Sequence, residues 1–413
     1  MTMMETSPCA HPSPETLRSL VTSGVSPKAA LPLLSWCPVS LQVERMHFPA
    51  TKPVQLHLRA VAADGQSQTL IAEWVGAAVA DLAMTEAARL GKHRRGQALP
   101  QGLAVAADPP SGLLLRCPGF DAKLPGLRLL HDAEFAREKL AALGCDAGAS
   151  VTLVAHRLGK RAILRVTGSD GTRYARLRPV SSTSGNVAFA QHKALWSALQ
   201  RTGYLAIPRP LCFDDGLGLA LFETLPGLPP QFQGPEGFRA THAVMTAIVT
   251  LQGLDVDAPV HHRDHELAIL QNWAQRLAEV FPNLATRLCV PLKRLEQDMA
   301  ALHPVQAVPC HRDLHEGQIL LDKNRAGLLD FDTLRLGDPA LDVGNLQAHL
   351  ILATLRDAKP RRGFVAAMDT ALPHLPLARI AVWRRAALLR LALIYAFTAE
   401  PRAVIHGLIE AAE

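Results

Sequence analysis

At 413 residues the chain is long enough for two to three domains of ordinary size, and its formal net charge of +6 is only mildly basic. Hydrophobic residues at 48% and charged residues at 19% exclude a disordered chain and leave ample material for a buried core. Aromatics at 5% are poor material for a base-stacking surface and no basic stripe marks a nucleic-acid partner, so the charge suits an anionic ligand such as a nucleotide.

Cys9, Cys37, Cys117, Cys145, Cys212, Cys289 and Cys310 are scattered, odd in number and without a C-x-x-C pair. Neither a zinc site nor a disulfide framework is expected, and a reducing, cytoplasmic setting is the simpler reading. The N-terminal residues lack a basic start followed by an apolar core, so no signal peptide is expected. No stretch is apolar enough for a membrane span. The best late candidate, Ile380 to Phe397, carries Arg384, Arg385 and Arg390 and reads as a core helix with a wet face.

Residues 1 to about 35 are rich in Ser and Pro and are helical at best. Val54–Arg59 then carries β-type residues, Asp64-Gly65 is a turn signal, and Thr69–Trp74 reads as a second short strand. The arrangement recurs as Ala162–Val166, Asp170-Gly171 and Thr172–Leu177, and Arg165 precedes its turn at the same spacing as Arg59. This reads as a duplicated hairpin module; the plain alternative is two common hairpins that match by chance.

Val187–Thr202 comes next as a helix, with Ala188, Gln191, Leu195 and Leu199 near one face and Gly203 as a stop. Arg209–Phe213 and Leu219–Leu225 read as short strands about a turn at Asp214–Gly218. Pro226–Pro235 is a Pro/Gly-rich break and marks a lobe boundary. Beyond it Phe238–Leu254, His265–Val280 and Leu292–Leu302 carry helical spacing. The polar stretch Pro309–Asp332 interrupts the helices, which resume from Ala340.

That polar stretch holds the chemistry. It contains His311-Arg312-Asp313-Leu314-His315-Glu316-Gly317-Gln318, then the strands Ile319–Leu321 and Leu328–Asp330 about a turn at Asp322–Arg325. Such a hairpin brings Asp313, Gln318 and Asp330 to one end of two strands. Phosphoryl transfer needs a cluster of this kind. One carboxylate orients the attacking hydroxyl and accepts its proton, while a second carboxylate and an amide oxygen hold Mg²⁺ against the phosphates.

The segment resembles the catalytic core of the aminoglycoside phosphotransferase and choline kinase group, which shares the protein-kinase-like fold. That pattern is His-x-Asp-x-x-x-x-Asn followed by a short strand ending in Asp; His311, Asp313 and Asp330 match it. Gly337-Asp338-Pro339 and Asp342 resemble the family's continuation into a helix, and no Ala-Pro-Glu activation segment is present. The resemblance is strong over residues 305–350, weaker over 150–305, and barely reaches 1–145. It implies an α+β, bilobal fold with a small β-rich lobe and a larger helical lobe, preceded here by an extra N-terminal α+β region. The implied divisions are 1–145, 146–225 and 226–413, the first reading as a degenerate small-lobe-like hairpin module. Implied roles are Asp313 as catalytic base, His311 as brace of the loop, and Gln318 and Asp330 as Mg²⁺ ligands. Asp332 would contact a second metal or cap the turn. Arg312 and Asp342 would support the loop.

Three departures stand out. Gln318 replaces the usual Asn, keeping a neutral amide oxygen on a side chain longer by about 1.5 Å. The third strand of the small lobe carries no Lys, so Arg176 or Arg178 would take its place on the phosphates, with Arg161 beside them; the alternative is a solvated strand face. The helix Val187–Thr202 has no Asp or Glu to hold such a cation. Phe222, Glu223 and Leu225 precede a Pro-Gly break and resemble the family's hinge, whose backbone would pair with adenine.

From Val343 to Glu413 there are nine Lys/Arg and five Asp/Glu, a poor cleft for a polycationic aminoglycoside. A neutral sugar, an amino alcohol or an anionic metabolite fits better. Arg361-Arg362 and Arg384-Arg385 read as exposed helix residues that could otherwise meet an anion. The expectation is therefore an ATP- and Mg²⁺-dependent phosphotransferase acting on a small-molecule hydroxyl. The alternative is a non-catalytic kinase-like binding or scaffold protein. Oligomeric state is not legible.

Overall fold

The computed structural model describes residues 12–48, 53–92, 104–180, 184–359, 361–370, 372 and 375–413. The first eleven residues, Cys9 among them, and the Arg362 side chain lie outside the described residues. The architecture is mixed α+β and falls into two compact units. One comprises Met1–Val187, Leu211–Phe222 and Phe397–Ala399; the other comprises Ala188–Pro210, Glu223–Ala396 and Glu400–Glu413. No described helix is long and apolar enough to cross a membrane.

The first unit opens with α1 (Pro14–Ser23), capped by the Ser13 side chain. A five-stranded sheet is then built from β1 (Ser40–His47), β2 (Gln55–Val61), β3 (Ser67–Trp74), β4 (Val105–Asp108) and β5 (Leu113–Arg116), with α2 (Val79–Lys92) between β3 and β4 in the chain. Leu56, Leu58 and Ala60 of β2 are fully buried, and their period of two is what makes the segment a strand with one core face. After α3 (Ala133–Ala142) come β6 (Ser150–Arg157), β7 (Arg161–Gly168) and β8 (Gly171–Leu177); most of α4 (Ser184–Leu199) and all of β9 (Leu205–Ala206) belong to the second unit, and the chain then returns to the sheet for β10 (Pro210–Asp214) and β11 (Leu219–Glu223). The first sheet runs β1-β2-β3-β5-β4 and the second runs β6-β7-β8-β11-β10, the same order strand for strand. Each also has a register shift at one place in its first hairpin, between Val43 and Arg45 in one and between Leu153 and Ala155 in the other.

Both sheets belong to one unit, continuous across residue 145. Leu124, Leu127, Leu129, Ala136 and Leu140, which precede the second sheet, pack into its core with Leu164, Ala175, Leu177 and Leu221. Among the strands of these two sheets, sequence reading missed β1, β4, β5 and β6. Strand β6 is an edge strand with mostly exposed side chains, and β4 and β5 are only four residues each, so none shows a clear alternation.

The second unit is mostly helical: α5 (Gly234–Gln252), α6 (Arg263–Val280) and α7 (Pro282–Ala301) precede β12 (Val308–Cys310), and β13 (Ile319–Asp322), β14 (Arg325–Leu328) and β15 (Arg335–Gly337) precede α8 (Leu341–Asp357), α9 (Arg362–Thr370), α10 (Leu377–Tyr395) and α11 (Arg402–Glu410). Helix α7 starts ten residues before the expected Leu292, because Pro282 occupies its first turn and Pro291 is tolerated inside it. Helices α8 and α10 approach closely at Gly344, where a Cβ would meet the Trp383 and Arg384 backbone at 2.7 and 2.6 Å.

Helix α10 corrects the expectation of a wet face and of an exposed Arg384-Arg385 pair. Arg384 donates to Gln347 at 3.1 Å, Arg385 to Asp298 and the Ala412 carbonyl, and Arg390 to Glu266 and Asn345. All three are partly buried, and charge removed from water is retained only where it finds partners. Arg361 is likewise held by both oxygens of Asp357 at 2.7 Å.

Candidate active site

Strands β13 and β14 form a hairpin paired from Ile319↔Leu328 to Asp322↔Arg325, which leaves Lys323-Asn324 as a two-residue turn. Lys323 takes the left-handed conformation this turn requires, with φ 56°. The expected second strand, Leu328–Asp330, thus starts three residues earlier and ends at Leu328, and Asp330 stands just beyond it with φ 58°. Strand β14 pairs in parallel with β9, and Leu228 bridges to Leu321 on the other edge. Gly227, with φ 123°, permits that bridge, since a Cβ there would meet the Leu321 backbone at 2.8 Å.

The Leu329 N–H donates to the Gln318 carbonyl at 2.9 Å, so Gln318 and Asp330 are neighbours at the open end of the hairpin. Asp332 lies in a single 3-10 turn, Phe331–Thr333. His311 is fully buried. Its Nε2 contacts the Leu329 carbonyl at 2.6 Å, and its Nδ1 accepts from the Asp313 N–H at 3.4 Å. The imidazole therefore ties the start of the loop to the strand that delivers Asp330. Phe331 packs edge-on against it with centroids 4.8 Å apart, and Thr333 donates to the His311 carbonyl at 2.7 Å. Asp313 itself is exposed.

Asp342, at the start of α8, is fully buried and accepts the His311 N–H at 2.7 Å and the Arg312 N–H at 2.8 Å. Burial pushes its carboxyl up, against the two N–H bonds and the nearby His311 and Arg312 that pull it down. Arg312 sits in the left-handed region at φ 69°, a conformation a non-glycine residue adopts only where its surroundings enforce it.

Several supporting residues were missed. Asn345, one turn after Asp342, donates to the Leu314 carbonyl at 2.8 Å. It also receives Arg390, which pairs with the buried Glu266; Glu266 in turn meets His261 at 3.0 Å. Burial alone would raise the Glu266 carboxyl, but Arg390 and the His261 hydrogen bond outweigh it and bring it down to about 2. Asp338 caps the Ala340 N–H at 2.9 Å and is gripped by the Arg379 guanidinium at 2.6–3.0 Å. The only sequence signal for Asn345 was its i+3 spacing from Asp342. A cavity of about 350 Å³ in the same unit, walled by His261, Arg263, His303, Arg379 and Trp383, contains none of the expected site residues.

In the first unit Ala175 and Leu177 enter the core, which turns Arg176 to the opposite face of β8, where it lies over the Phe222 ring at 5.6 Å. The Arg178 N–H donates to the Gly218 carbonyl at 2.8 Å. Arg161 pairs with Arg157 at the mouth of the β6–β7 turn. That turn is fastened by the Gly159 N–H to Asp121 at 2.6 Å and by the Gln55 amide to the Leu158 carbonyl at 3.4 Å. Asp121 was also missed. In the second unit the Glu223 N–H donates to the Arg209 carbonyl at 3.0 Å, and Leu225 packs onto Gly327 of β14.

Comparison with known proteins matches residues 150–389, more than half of the chain, to the sequence profile described as the phosphotransferase enzyme family. Among solved structures, the chain is similar to a choline kinase from Cryptosporidium parvum Iowa II, at 11% identity and a TM-score of 0.50, over 68% of this chain and 94% of that one. A choline/ethanolamine kinase family protein from Mesorhizobium loti gives 20% identity and a TM-score of 0.47, over 68% and 92%. A macrolide 2'-phosphotransferase from Brachybacterium faecium gives 19% and 0.45, over 68% and 98%. At 11% identity the likeness to the choline kinase concerns the fold alone. No functionally curated protein matches the chain.

Proposed function

The chain belongs to the phosphotransferase enzyme family, and from that premise we propose that it transfers the γ-phosphate of ATP to a hydroxyl of a small molecule, with Asp313 as the base. The observation that carries this reading is a loop bearing Asp313 and Gln318 that buried His311 ties to the strand delivering Asp330, with buried Asp342 anchoring its backbone. Asp313 orients the acceptor hydroxyl and takes its proton as the oxygen attacks the γ-phosphorus in line, while the bond from that phosphorus to the β–γ bridging oxygen breaks and ADP leaves. Being exposed, it can meet a substrate from solvent. Gln318, Asp330 and Asp332 present only hard oxygen donors, which fit Mg²⁺. When bound, the ion supplies charge neutralisation at the phosphate oxygens. Arg176 and Arg178 take the role of the missing strand Lys, with Arg161 beside them, and the backbone of Phe222, Glu223 and Leu225 receives the base. Arg312 and Asp342 keep the loop in shape.

The acceptor we favour is neutral or anionic, because the stretch from Val343 to Glu413 carries nine basic and only five acidic residues. On that ground no turnover of kanamycin-type aminoglycosides is expected. Measured phosphorylation of one would overturn this choice of acceptor.

We also propose that the N-terminal region before residue 145 is a degenerate copy of the small lobe. Its support is the shared strand order, the shared register shift and a helix after the third strand of each sheet. The second reading of the whole chain, a non-catalytic kinase-like binding protein, rests on α4, which carries no Asp or Glu to hold a phosphate-binding cation.

A thermal-shift assay with Mg²⁺-ATP on wild type and Asp330→Ala tests the proposal. Saturation at ~100 times Kd stabilises the binding-competent protein by about 2.7 kcal/mol. A metal-dependent shift in wild type alone supports a working site. No shift, together with no ATP turnover across a panel of metabolites, would put the non-catalytic reading ahead.

A further inference from the structure

We propose that His315, Glu316 and His349 form a site for one transition-metal dication of the Zn²⁺ class. One ligand atom from each lies within 4.8 Å of the others. The cluster joins the loop to the helix that anchors it. Asp342, Asn345 and His349 stand at i, i+3 and i+7 and so share one face of α8. The first two hold the loop backbone, and the third meets His315, the rings stacking at 4.9 Å and 26°.

Glu316 provides the independent observation. Its Oε2 is buried and has no hydrogen-bond partner among the described residues. Arg361, whose charge acts on Glu316, is already held by Asp357. A buried acceptor left without a donor is costly, and a cation at this point resolves it. The donor set also decides which cation. Two imidazoles and one carboxylate, with a fourth position open to water or substrate, suit Zn²⁺ or Co²⁺, whereas the all-oxygen set of Gln318, Asp330 and Asp332 suits Mg²⁺. The two sites therefore select different ions.

Closing the site has a consequence for the loop. An ion about 2.0–2.2 Å from each donor draws the three side chains together. His315 Nδ1 now accepts the Gly317 N–H at 3.1 Å, which places the ring proton on Nε2. Coordination removes this contact through either nitrogen: through Nε2 the ring proton moves to Nδ1, where it faces the Gly317 N–H, and through Nδ1 the ion takes the lone pair that accepts it. The turn Glu316–Gln318 then shifts, and Gln318 with it. The ion is thus expected to inhibit phosphoryl transfer. This consequence rests on the proposed function; the binding itself does not.

The test uses the full chain, stripped with a chelator, in wild-type, His349→Gln and Glu316→Gln forms, with circular dichroism to verify folding. Co²⁺ is followed by its d–d absorption and Zn²⁺ by metal analysis after equilibrium dialysis. Wild type is expected to take up a single ion, with affinity falling ~10–100-fold or more in each folded variant. Absence of uptake by wild type, or unchanged uptake in both variants, overturns the site. Zn²⁺ is then added to the Mg²⁺-ATP assay, where it should inhibit wild type and spare His349→Gln. Binding without inhibition overturns the coupling to Gln318. A chain that binds the ion as described but phosphorylates no acceptor upholds the site and counts against the proposed function instead.

Discussion

Replacing Asp342 by Asn tests how the His311–Gln318 loop is held. The side chain keeps its size but loses one acceptor and its charge. Asp342 now takes two N–H bonds, from His311 at 2.7 Å and Arg312 at 2.8 Å. An amide has one oxygen, so one of these donors would face an NH₂ group and stay unpaired. Orphaning a buried donor costs about 1–3 kcal/mol, and demoting the other bond from charged to neutral costs about 1 kcal/mol more. Against this, the neutral amide escapes the burial that pushes the carboxylate up. The balance is a local loss of about 2–3 kcal/mol. At about 1.4 kcal/mol per tenfold, that is roughly a 30- to 150-fold rise in local opening. Hydrogen exchange of a peptide containing His311 and Arg312 reads those two amides directly, and the rise should be confined to this loop. Exchange within about threefold of wild type would refute the claim that Asp342 anchors it.

Arg116→Leu should destabilise the N-terminal sheet by about 2–4 kcal/mol, at or below the range for broken buried pairs, because Glu73 and Glu86 both lose this buried guanidinium and are left with Gln55 and Arg89. Limited proteolysis should then cut first within residues 12–116; an unchanged cleavage pattern would count against it. Arg379→Lys should cost about 1–3 kcal/mol, since an ammonium cannot reproduce the forked grip on Asp338. A melting temperature equal to wild type would show that the fork is dispensable. Glu266 has a folded pKa of about 2 against an ordinary value of 4.5, so its stabilisation is complete above 4.5 and is lost as pH falls toward 2. The melting-temperature gap between wild type and Glu266→Gln should therefore narrow between about pH 7 and pH 3, and a constant gap would contradict the assignment.

How much of this was legible depended on distance along the chain. Gln318 and Asp330 flank one hairpin whose register is set by a two-residue turn, and Asp313 precedes it by a few positions, so local sequence was enough to group them. Even there the second strand starts three residues and ends two residues before its expected bounds, because the positive φ of Lys323 tightened the turn. The arginines of α10 show the opposite case. Helical spacing revealed their shared face but not what stood across from it, and Asp298, Gln347 and Glu266 turned an expected wet face into a set of internal pairs.

The class of fold and the chain order of the candidate site residues were legible in sequence alone, since both are written in short-range patterns of turn, strand and spacing. The resemblance already implied Asp342 as a support of the loop, but tertiary structure alone decided the other long-range fastenings. Asn345 on the loop, Asp121 on the β6–β7 turn and Arg379 on Asp338 each bond to backbone or side chains at least thirty positions away. The five-stranded order of the N-terminal sheet, matching that of its neighbour, emerged only at that level too, because two of its strands are too short to show a pattern. The reason is physical: a buried polar group must find a partner wherever packing places one, and no local pattern states where that is.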